Sequence, residues 1–215
     1  MIVFIVHFVK ALYSCSKICC LYFLREFDGS KKAIDELKSY RSENLGNGQY
    51  YEAALCSVLV YYSLSNPKDH VERIKSNVDF LRKHNEINSD YFQGRLHLAE
   101  AIQESIFNED EMIIFKSFQK ALKSTESSDF LSALTHEYFA EFCNKTTEFK
   151  NYGKFLENEA YLKYFRIEAV CKYKHLTKLE SKSSNTTADS GNTISSSPTT
   201  STTAGEVLQL IFKQY

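Results

Sequence analysis

The chain has few of the residues that interrupt a helix. Only 7 glycines and 2 prolines occur among its 215 residues, and Gly191, Gly205 and Pro198 lie in one Ser/Thr-rich tract near the C-terminus. A β-sandwich or barrel needs turn residues roughly every 8–12 positions, and a nucleotide-binding sheet needs glycine-rich loops. The chain before that tract supplies neither, so both classes of fold are excluded.

The chain also lacks an excess of charge of either sign. Its 26 Lys and Arg residues are balanced by 27 Asp and Glu residues, which gives a formal net charge of -1. No overall field therefore attracts nucleic acid or an anionic membrane. We predict no nucleic-acid partner, and the share of hydrophobic residues, 43%, is typical of a globular protein.

Six cysteines are present, but their spacing does not indicate a disulfide framework. Three of them crowd into one apolar stretch and the others are scattered: Cys15, Cys19, Cys20, Cys56, Cys143 and Cys171. In a chain of this length the pattern is typical of reduced thiols in a core. Because thiols stay reduced in the cytosol, we predict a cytoplasmic protein.

The most apolar part of the chain is its N-terminal stretch, residues 1–27. A membrane-spanning helix needs about 20 apolar residues without charge, whereas His7, Lys10 and Lys17 interrupt this run. A secretory signal carries its positive charge ahead of the apolar region rather than inside it. We therefore predict a buried helix, and the alternative is a small helical protein anchored to a membrane by residues 1–24.

From residue 28 onward, apolar residues recur at spacings of three and four, which predicts helices. A last helical stretch is predicted from Glu168 to Ser181, although no breaker separates it from the helix before. With the N-terminal stretch this makes about nine helices joined by short connections. Polar residues predict where helices start, namely Asp28, Asn66 before Pro67, Asn88 or Ser89, Asn108 with Glu111, Ser128, and Thr146 or Thr147.

The predicted fold is all-α, with stacked antiparallel helical hairpins similar to a tetratricopeptide (TPR) array or another α-solenoid. Composition divides the chain into a helical-repeat domain over residues 1–182, a linker over residues 183–205 and an apolar tail over residues 206–215. Ile194 is the one large apolar residue of the linker, so the linker buries too little surface to offset its ordering entropy and is predicted to be disordered. We expect the tail, EVLQLIFKQY, to be the start of a missing element.

The sequence contains no complete motif of reactive residues. The sequence HEYFA at His136 begins like a zinc-protease helix, but Ala140 stands where the second metal ligand is needed. Cys15 and Cys19 lie one helical turn apart and lack a second pair of ligands. We predict a non-enzyme without catalytic, cofactor-binding or metal-binding residues, and an enzyme that uses His136 and Glu137 is the weakest alternative.

Ten positions near the end of the helical part form a recognisable pattern. In chain order they carry Phe, Ala and Leu side by side, Glu, an aromatic residue, Leu, Ala, Tyr, Ala and Lys. Its members are Phe130, Ala133, Leu134, Glu137, Phe142, Leu156, Ala160, Tyr164, Ala169 and Lys172. This spacing resembles the end of the TPR-like helical region of large eukaryotic signalling proteins that combine a Ser/Thr kinase-like domain, an ATPase module, a GAF domain and a hybrid histidine kinase. Residues 61–64, 88–100 and 114–122 resemble that region in the same order.

The resemblance implies a non-catalytic segment for interaction or relay between the ATPase module and the GAF–histidine kinase half, and a chain that is either a fragment of such a protein or a stand-alone relic of one. Its partners would be proteins or the neighbouring domains of a parent signalling kinase. Ile167 and Glu168 replace an aromatic residue and a glycine in the family's Trp-Gly-Ala turn, which leaves the break between the last two helices open. We also expect self-association, because residues 1–24 and 206–215 expose apolar surface if they are edges of a larger assembly.

Overall fold

The computed structural model describes residues 2–38, 48–172, 174 and 176, and for residues 2–6 and 48 it describes the backbone only. A short 3₁₀ helix spans Pro67–His70, and residues 170–172, 174 and 176 are again helical. The α-helices of these ranges are α1 (Ile2–Phe23), α2 (Phe27–Lys38), α3 (Gly48–Ser63), α4 (Val71–Asn85), α5 (Ser89–Phe107), α6 (Glu111–Thr125), α7 (Asp129–Lys145) and α8 (Lys150–Arg166).

The helices form a two-layered stack of hairpins, so the predicted all-α helical-repeat fold is confirmed. Each odd-numbered helix packs against the even-numbered helix that follows it, and α1, α3, α5 and α7 also pack successively against one another. The odd-numbered helices thus make an inner layer and the even-numbered helices an outer layer, as in helical-repeat proteins. Within the described ranges the structure contains no β-strand.

The first helix belongs to this inner layer. Ala11, Cys15 and Ile18 are buried in its contacts with α2 and α3, so one face of this helix is buried as predicted, whereas Val9 and Tyr13 are 57% and 67% exposed. At its C-terminal end Tyr22 reaches Tyr138 of α7, so the first and last inner helices meet. None of the helices in the described ranges is apolar over a sufficient length to cross a membrane.

Two of the predicted N-caps are confirmed. Asn88 Oδ1 accepts a hydrogen bond from the backbone N–H of Tyr91 at 3.3 Å and so begins α5. Ser128 Oγ accepts one from the N–H of Leu131 at 3.3 Å and begins α7. In both places a short polar side chain satisfies a backbone donor that the first helical turn leaves without a partner.

The predicted start of α6 is wrong by two residues. Its N-cap is Asp110, whose Oδ1 accepts from the N–H groups of Met112 at 2.9 Å and Ile113 at 3.2 Å. Asn108 instead accepts from the N–H of Asp110 at 3.0 Å, which is an Asx-type turn ahead of the helix. A carboxylate is favoured at the cap because it also faces the positive end of the helix dipole.

Three further predicted starts differ in detail from the structure. Helix α2 begins at Phe27, so Asp28 lies within its first turn. Asn66 makes no side-chain capping bond and precedes the 3₁₀ helix rather than α4. Thr146 ends α7, since its hydroxyl donates to the carbonyl oxygen of Cys143 at 3.0 Å.

Helix α8 begins at Lys150, directly after Phe149. Phe149 makes no side-chain capping bond, and its ring lies 4.5 Å from the ring of Phe115. Aromatic packing therefore takes the place of a polar cap at this helix start.

The break that the sequence left open lies at Ile167 and Glu168. Helix α8 ends at Arg166, and Glu168 adopts a left-handed backbone conformation with φ 57°. The N–H of Ala169 donates to the carbonyl oxygen of Tyr164 at 2.9 Å, which closes a Schellman turn. The same kind of turn follows α1, where Arg25 has a φ of 63° and the N–H of Glu26 donates to the carbonyl oxygen of Leu21 at 2.9 Å. In each turn a non-glycine residue occupies the position where glycine is preferred.

Replacing Glu168 with glycine is expected to raise the free energy of unfolding by about 0.5–1 kcal/mol, because the left-handed strain disappears. Urea denaturation followed by circular dichroism measures this. The matched control is Glu126→Gly at the C-cap of α6, where φ is -55° and glycine should lower the free energy of unfolding by a similar amount. A loss of stability in both variants would contradict the strain at Glu168.

Three predicted segments lie outside the described residues. These are the helical continuation over residues 177–181, the linker at 183–205 and the apolar tail at 206–215.

Candidate functional site

A buried ion pair joins α7 to the helical segment after α8. Lys172 is only 2% exposed, and its Nζ lies 2.9 Å from Oε2 and 3.2 Å from Oε1 of Glu137. Charged side chains are almost never fully buried unless they are paired. The two partners are 35 positions apart in the chain, so the pair fixes how the last described segment lies on the stack.

Three tyrosine hydroxyls complete this arrangement, which we call the Lys172–Glu137 cluster. Tyr164 donates to Glu137 Oε2 at 2.6 Å. Lys172 Nζ donates to the hydroxyl of Tyr22 at 3.1 Å, and that hydroxyl lies 2.9 Å from the hydroxyl of Tyr138. The cluster therefore connects α1, α7, α8 and the segment after α8 through hydrogen bonds among buried groups.

The rings around Lys172 give it further favourable contacts. Its ammonium lies 4.5 Å from the ring centroid of Tyr22 and 5.8 Å from that of Tyr164, within the range of cation–π attraction. At the edge of the cluster, a guanidinium nitrogen of Arg25 lies 4.0 Å from Glu137 Oε1. Glu137 is thus held by two cations and one tyrosine, which satisfies a carboxylate that water reaches poorly.

Titration of the cluster is set by burial and by the ion pair. Burial alone would raise the pKa of Glu137, but the Lys172 ammonium and the hydrogen bonds from Tyr164 and Lys172 outweigh it, so this pKa is lowered. Burial and the nearby Glu137 charge raise the pKa values of Tyr22, Tyr138 and Tyr164. Glu137 is therefore ionised and the tyrosines are neutral hydrogen-bonding groups around neutral pH.

Acid is expected to weaken the fold through Glu137. Its folded pKa lies below the ordinary value of 4.5, so its stabilisation is complete at neutral pH and is lost as pH falls through the folded pKa. Urea denaturation at a series of pH values measures the effect. The double variant Glu137→Gln/Lys172→Met lacks the titrating pair and should lose less stability on acidification. Equal losses in the two proteins would show that Glu137 does not contribute.

A second buried ion pair joins the inner helices α3 and α5. Arg95 Nε donates to Glu52 Oε1 at 2.7 Å, and its Nη2 contacts the same oxygen. The third guanidinium nitrogen donates to the carbonyl oxygen of Tyr91 at 2.8 Å, and the guanidinium lies 4.2 Å from the Tyr91 ring centroid. Both buried pairs fix packing between helices that are distant in sequence.

A cavity of about 390 Å³ opens between the N-terminal ends of α5 and α7. Asp90 and Asp129 line it, and each lies in the first turn of its helix. Carboxylates at that position stabilise the helix by facing the positive end of its dipole. Their positions are thus explained by helix formation, and the third charged residue that lines the cavity, Arg95, is paired with Glu52.

The side chains of His136 and Glu137 have different partners, although the two residues are adjacent in the sequence. His136 is half-buried, and its Nδ1 lies 2.7 Å from the carbonyl oxygen of Ser132 on the same helix. Burial is the main cause that lowers the pKa of His136, so the imidazole is neutral around pH 7. Glu137 is engaged by Lys172 and Tyr164. The two side chains therefore do not form one site.

The cysteines are free thiols. Cys15, Cys19, Cys56 and Cys143 are buried, whereas Cys20 and Cys171 are half-buried. A hydrogen bond with Cys56, and then burial, raises the pKa of Cys19 well above its usual value, which makes an unreactive thiol. In the described ranges, no group of three or more His, Cys, Asp or Glu residues is arranged to hold a metal ion.

Sequence reasoning missed both ion pairs, although Glu137, Tyr164 and Lys172 are among the residues that carry the family resemblance. Their relative spacing follows the family pattern, but nothing in that spacing indicates a shared contact. No sequence pattern connects Tyr22 with Lys172, because the two residues lie 150 positions apart. Comparison of the chain with models of known protein families, with curated proteins and with solved structures yields no match.

Proposed function

We propose that this chain is a non-catalytic helical segment that relays conformational change, and that it works inside a larger signalling kinase. The observation that supports this proposal best is the Lys172–Glu137 cluster. Through it, the last turn of α1 and the segment after α8 contact each other across the stack. A domain attached before α1 and a domain attached after residue 176 would then act on one hydrogen-bonded unit.

The physical basis of such a relay is that packed helices move as rigid bodies and that their interfaces are not continuously deformable. A rotation of α1 would displace Tyr22, which contacts Lys172 at 3.1 Å. Lys172 cannot follow freely, because leaving Glu137 would strand a buried charge. Movement at one end of the stack is thus opposed or transmitted at the other end.

The resemblance to the helical region of kinase-like, ATPase and GAF–histidine kinase proteins supports the choice of setting. Three residues of that resemblance, Glu137, Tyr164 and Lys172, contact one another, which gives the matched spacing a structural role. The partners of the chain would be the neighbouring domains or other signalling proteins. A cytoplasmic location fits the free thiols.

Hydrogen exchange tests the coupling between the two ends. Tyr22→Phe removes the hydroxyl that accepts from Lys172, and backbone amides of residues 170–176 should exchange about 10–100 times faster. The matched control is Tyr61→Phe, which removes a hydroxyl that accepts from Arg73 at 3.1 Å and should leave those amides unchanged. Unchanged exchange in Tyr22→Phe would contradict the relay.

The non-catalytic part of the proposal has its own test. We expect the purified chain to show no ATP hydrolysis and no autophosphorylation, because it lacks a phosphate-binding loop motif. Release of phosphate that persists through purification and disappears in His136→Ala would overturn this part. His136 is the substitution of choice because it lies outside the Lys172–Glu137 cluster, so the stack should keep its fold.

A further inference from the structure

A cavity of about 220 Å³ lies between α4 and α6, two neighbouring helices of the outer layer. Helix α5 lines it as well, since both outer helices pack against α5. Each described residue that lines the cavity carries a polar side chain: Arg82, His97, Glu100, Gln103, Glu104, Ser117 and Lys120. The volume equals that of about seven water molecules at about 30 Å³ each. The cavity is therefore large enough for one small molecule.

The neighbouring grooves between outer helices are lined or filled differently. The cavity between α2 and α4 is also about 220 Å³, and it includes the apolar side chains of Ile34 and Leu37. Between α6 and α8, the ring centroid of Phe115 lies 4.5 Å from that of Phe149 and 5.7 Å from that of Tyr152. Apolar side chains thus occupy these two grooves. A wholly polar lining between α4 and α6 is not a requirement of the stack.

Two buried polar atoms of this lining have no hydrogen-bond partner among the described residues. His97 is only 9% exposed, and the atom concerned is its Nδ1. The second atom is Oε1 of Gln103. Buried polar atoms are nearly always paired, because an unpaired one loses the hydrogen bond that water would provide. Rotation about the last side-chain torsion, which is soft for imidazole and amide groups, brings either atom to a molecule in the cavity.

The charged residues of the cavity are engaged by other protein groups. Arg82 Nη2 donates to Glu100 Oε1 at 3.0 Å, and Lys120 Nζ lies 3.6 Å from Glu100 Oε2. Asn108 Nδ2 donates to Glu104 Oε2 at 3.2 Å. The two cations of the lining are thus balanced by its two carboxylates. This balance favours a ligand without net charge over an ion of either sign.

The groups that remain for a ligand are uncharged. Burial, and then the nearby Lys120 charge, lowers the pKa of His97, so the imidazole is neutral around pH 7. A neutral imidazole, the amide of Gln103 and the hydroxyl of Ser117 each donate and accept hydrogen bonds. A ligand hydroxyl has the same two capacities. The described lining includes no aliphatic, Phe, Tyr or Trp side chain, so it offers no apolar surface to a flat heterocycle.

We propose that the cavity between α4 and α6 binds a small polyhydroxy compound, a polyol or a monosaccharide, through His97, Gln103 and Ser117. The hydroxyl groups of the ligand supply the partners that the two buried atoms lack. The cavity lies on α4, α5 and α6, whereas the Lys172–Glu137 cluster connects α1, α7, α8 and the segment after α8. The proposal therefore does not depend on the relay function.

Titration of the ¹⁵N-labelled full chain with myo-inositol, followed through its backbone amide NMR signals, tests the proposal. We expect saturable shifts at residues 97–104 and 117–120, with a dissociation constant of about 0.1–10 mM. Polyols also act on proteins by exclusion from the whole surface, but that effect neither saturates nor concentrates at one cavity. If neither myo-inositol nor D-glucose produces saturable shifts at these residues, the proposal is overturned.

A double variant tests the two unpartnered atoms. His97→Phe/Gln103→Leu should weaken the binding of myo-inositol at least about 10-fold. It removes no hydrogen bond of the fold, so its thermal stability without ligand should equal or exceed that of the wild type. The matched control, Ser76→Ala/Asn77→Leu, changes two residues of the cavity between α2 and α4 and should leave binding unchanged. Undiminished binding by the first variant, or a marked loss of its stability, contradicts the proposal.

Two further measurements test the contacts and the class of ligand. Ser117→Ala should weaken the binding of myo-inositol about 5-fold, which keeps the test available if the double variant does not fold. Putrescine and acetate, a cation and an anion of small size, should produce no saturable shifts at residues 97–104. Binding of either ion that is tighter than that of myo-inositol would identify an ion site and overturn the proposal.

Discussion

Replacing Lys172 with methionine is expected to lower the free energy of unfolding by about 3–5 kcal/mol. The substitution keeps an apolar chain of similar length but leaves the Glu137 carboxylate buried without its ammonium partner. Such an uncompensated charge costs more than the ion pair contributes when intact. Urea denaturation of the full chain, followed by circular dichroism at neutral pH, measures the change.

Two controls make this result specific. Lys174→Met changes an exposed lysine of the same segment and should alter stability by less than about 0.5 kcal/mol. Adding Glu137→Gln to Lys172→Met removes the stranded charge and should restore more than half of the loss. A loss below about 1 kcal/mol in Lys172→Met would mean that Glu137 reaches water or another cation in the folded protein.

Replacing Leu134 with alanine is expected to cost about 2–5 kcal/mol, the range for a buried leucine whose surroundings relax only partly. Leu134 is 1% exposed on α7, where the helix packs between α5, α6 and α8. Thermal or urea denaturation provides the measurement. Met112→Ala serves as the control, because Met112 is exposed and its truncation should cost less than about 0.5 kcal/mol. Equal losses in the two variants would show that Leu134 does not lie in the core.

Helix termini show how far local reasoning reaches. Asn88 and Ser128 were predicted correctly because one short side chain and one nearby N–H decide each cap. The predicted cap at Asn108 was wrong because Asp110, a second residue that caps helices well, lies within the same turn. The predicted cap at Thr146 was wrong because Phe149 and Phe115 pack together, and such a contact between two helices leaves no local pattern in the sequence.

The candidate site was much less predictable than the fold. Glu137 and Lys172 were noticed only as members of a spacing, and their contact depends on the turn at Glu168 that follows α8. Glu168 stands where the family that the sequence resembles has a glycine, so the sequence left the position of this turn open. Arg95 and Glu52 gave no signal either, since they belong to helices that become neighbours only in the stack.

The sequence by itself determined the helices and their faces, because apolar periodicity, the scarcity of glycine and proline, and most chain breaks act over a few residues. Only the tertiary structure decided which polar side chains meet. Tyr22 and Lys172 are 150 positions apart, and their contact follows from the summed angles of every helix pair between them.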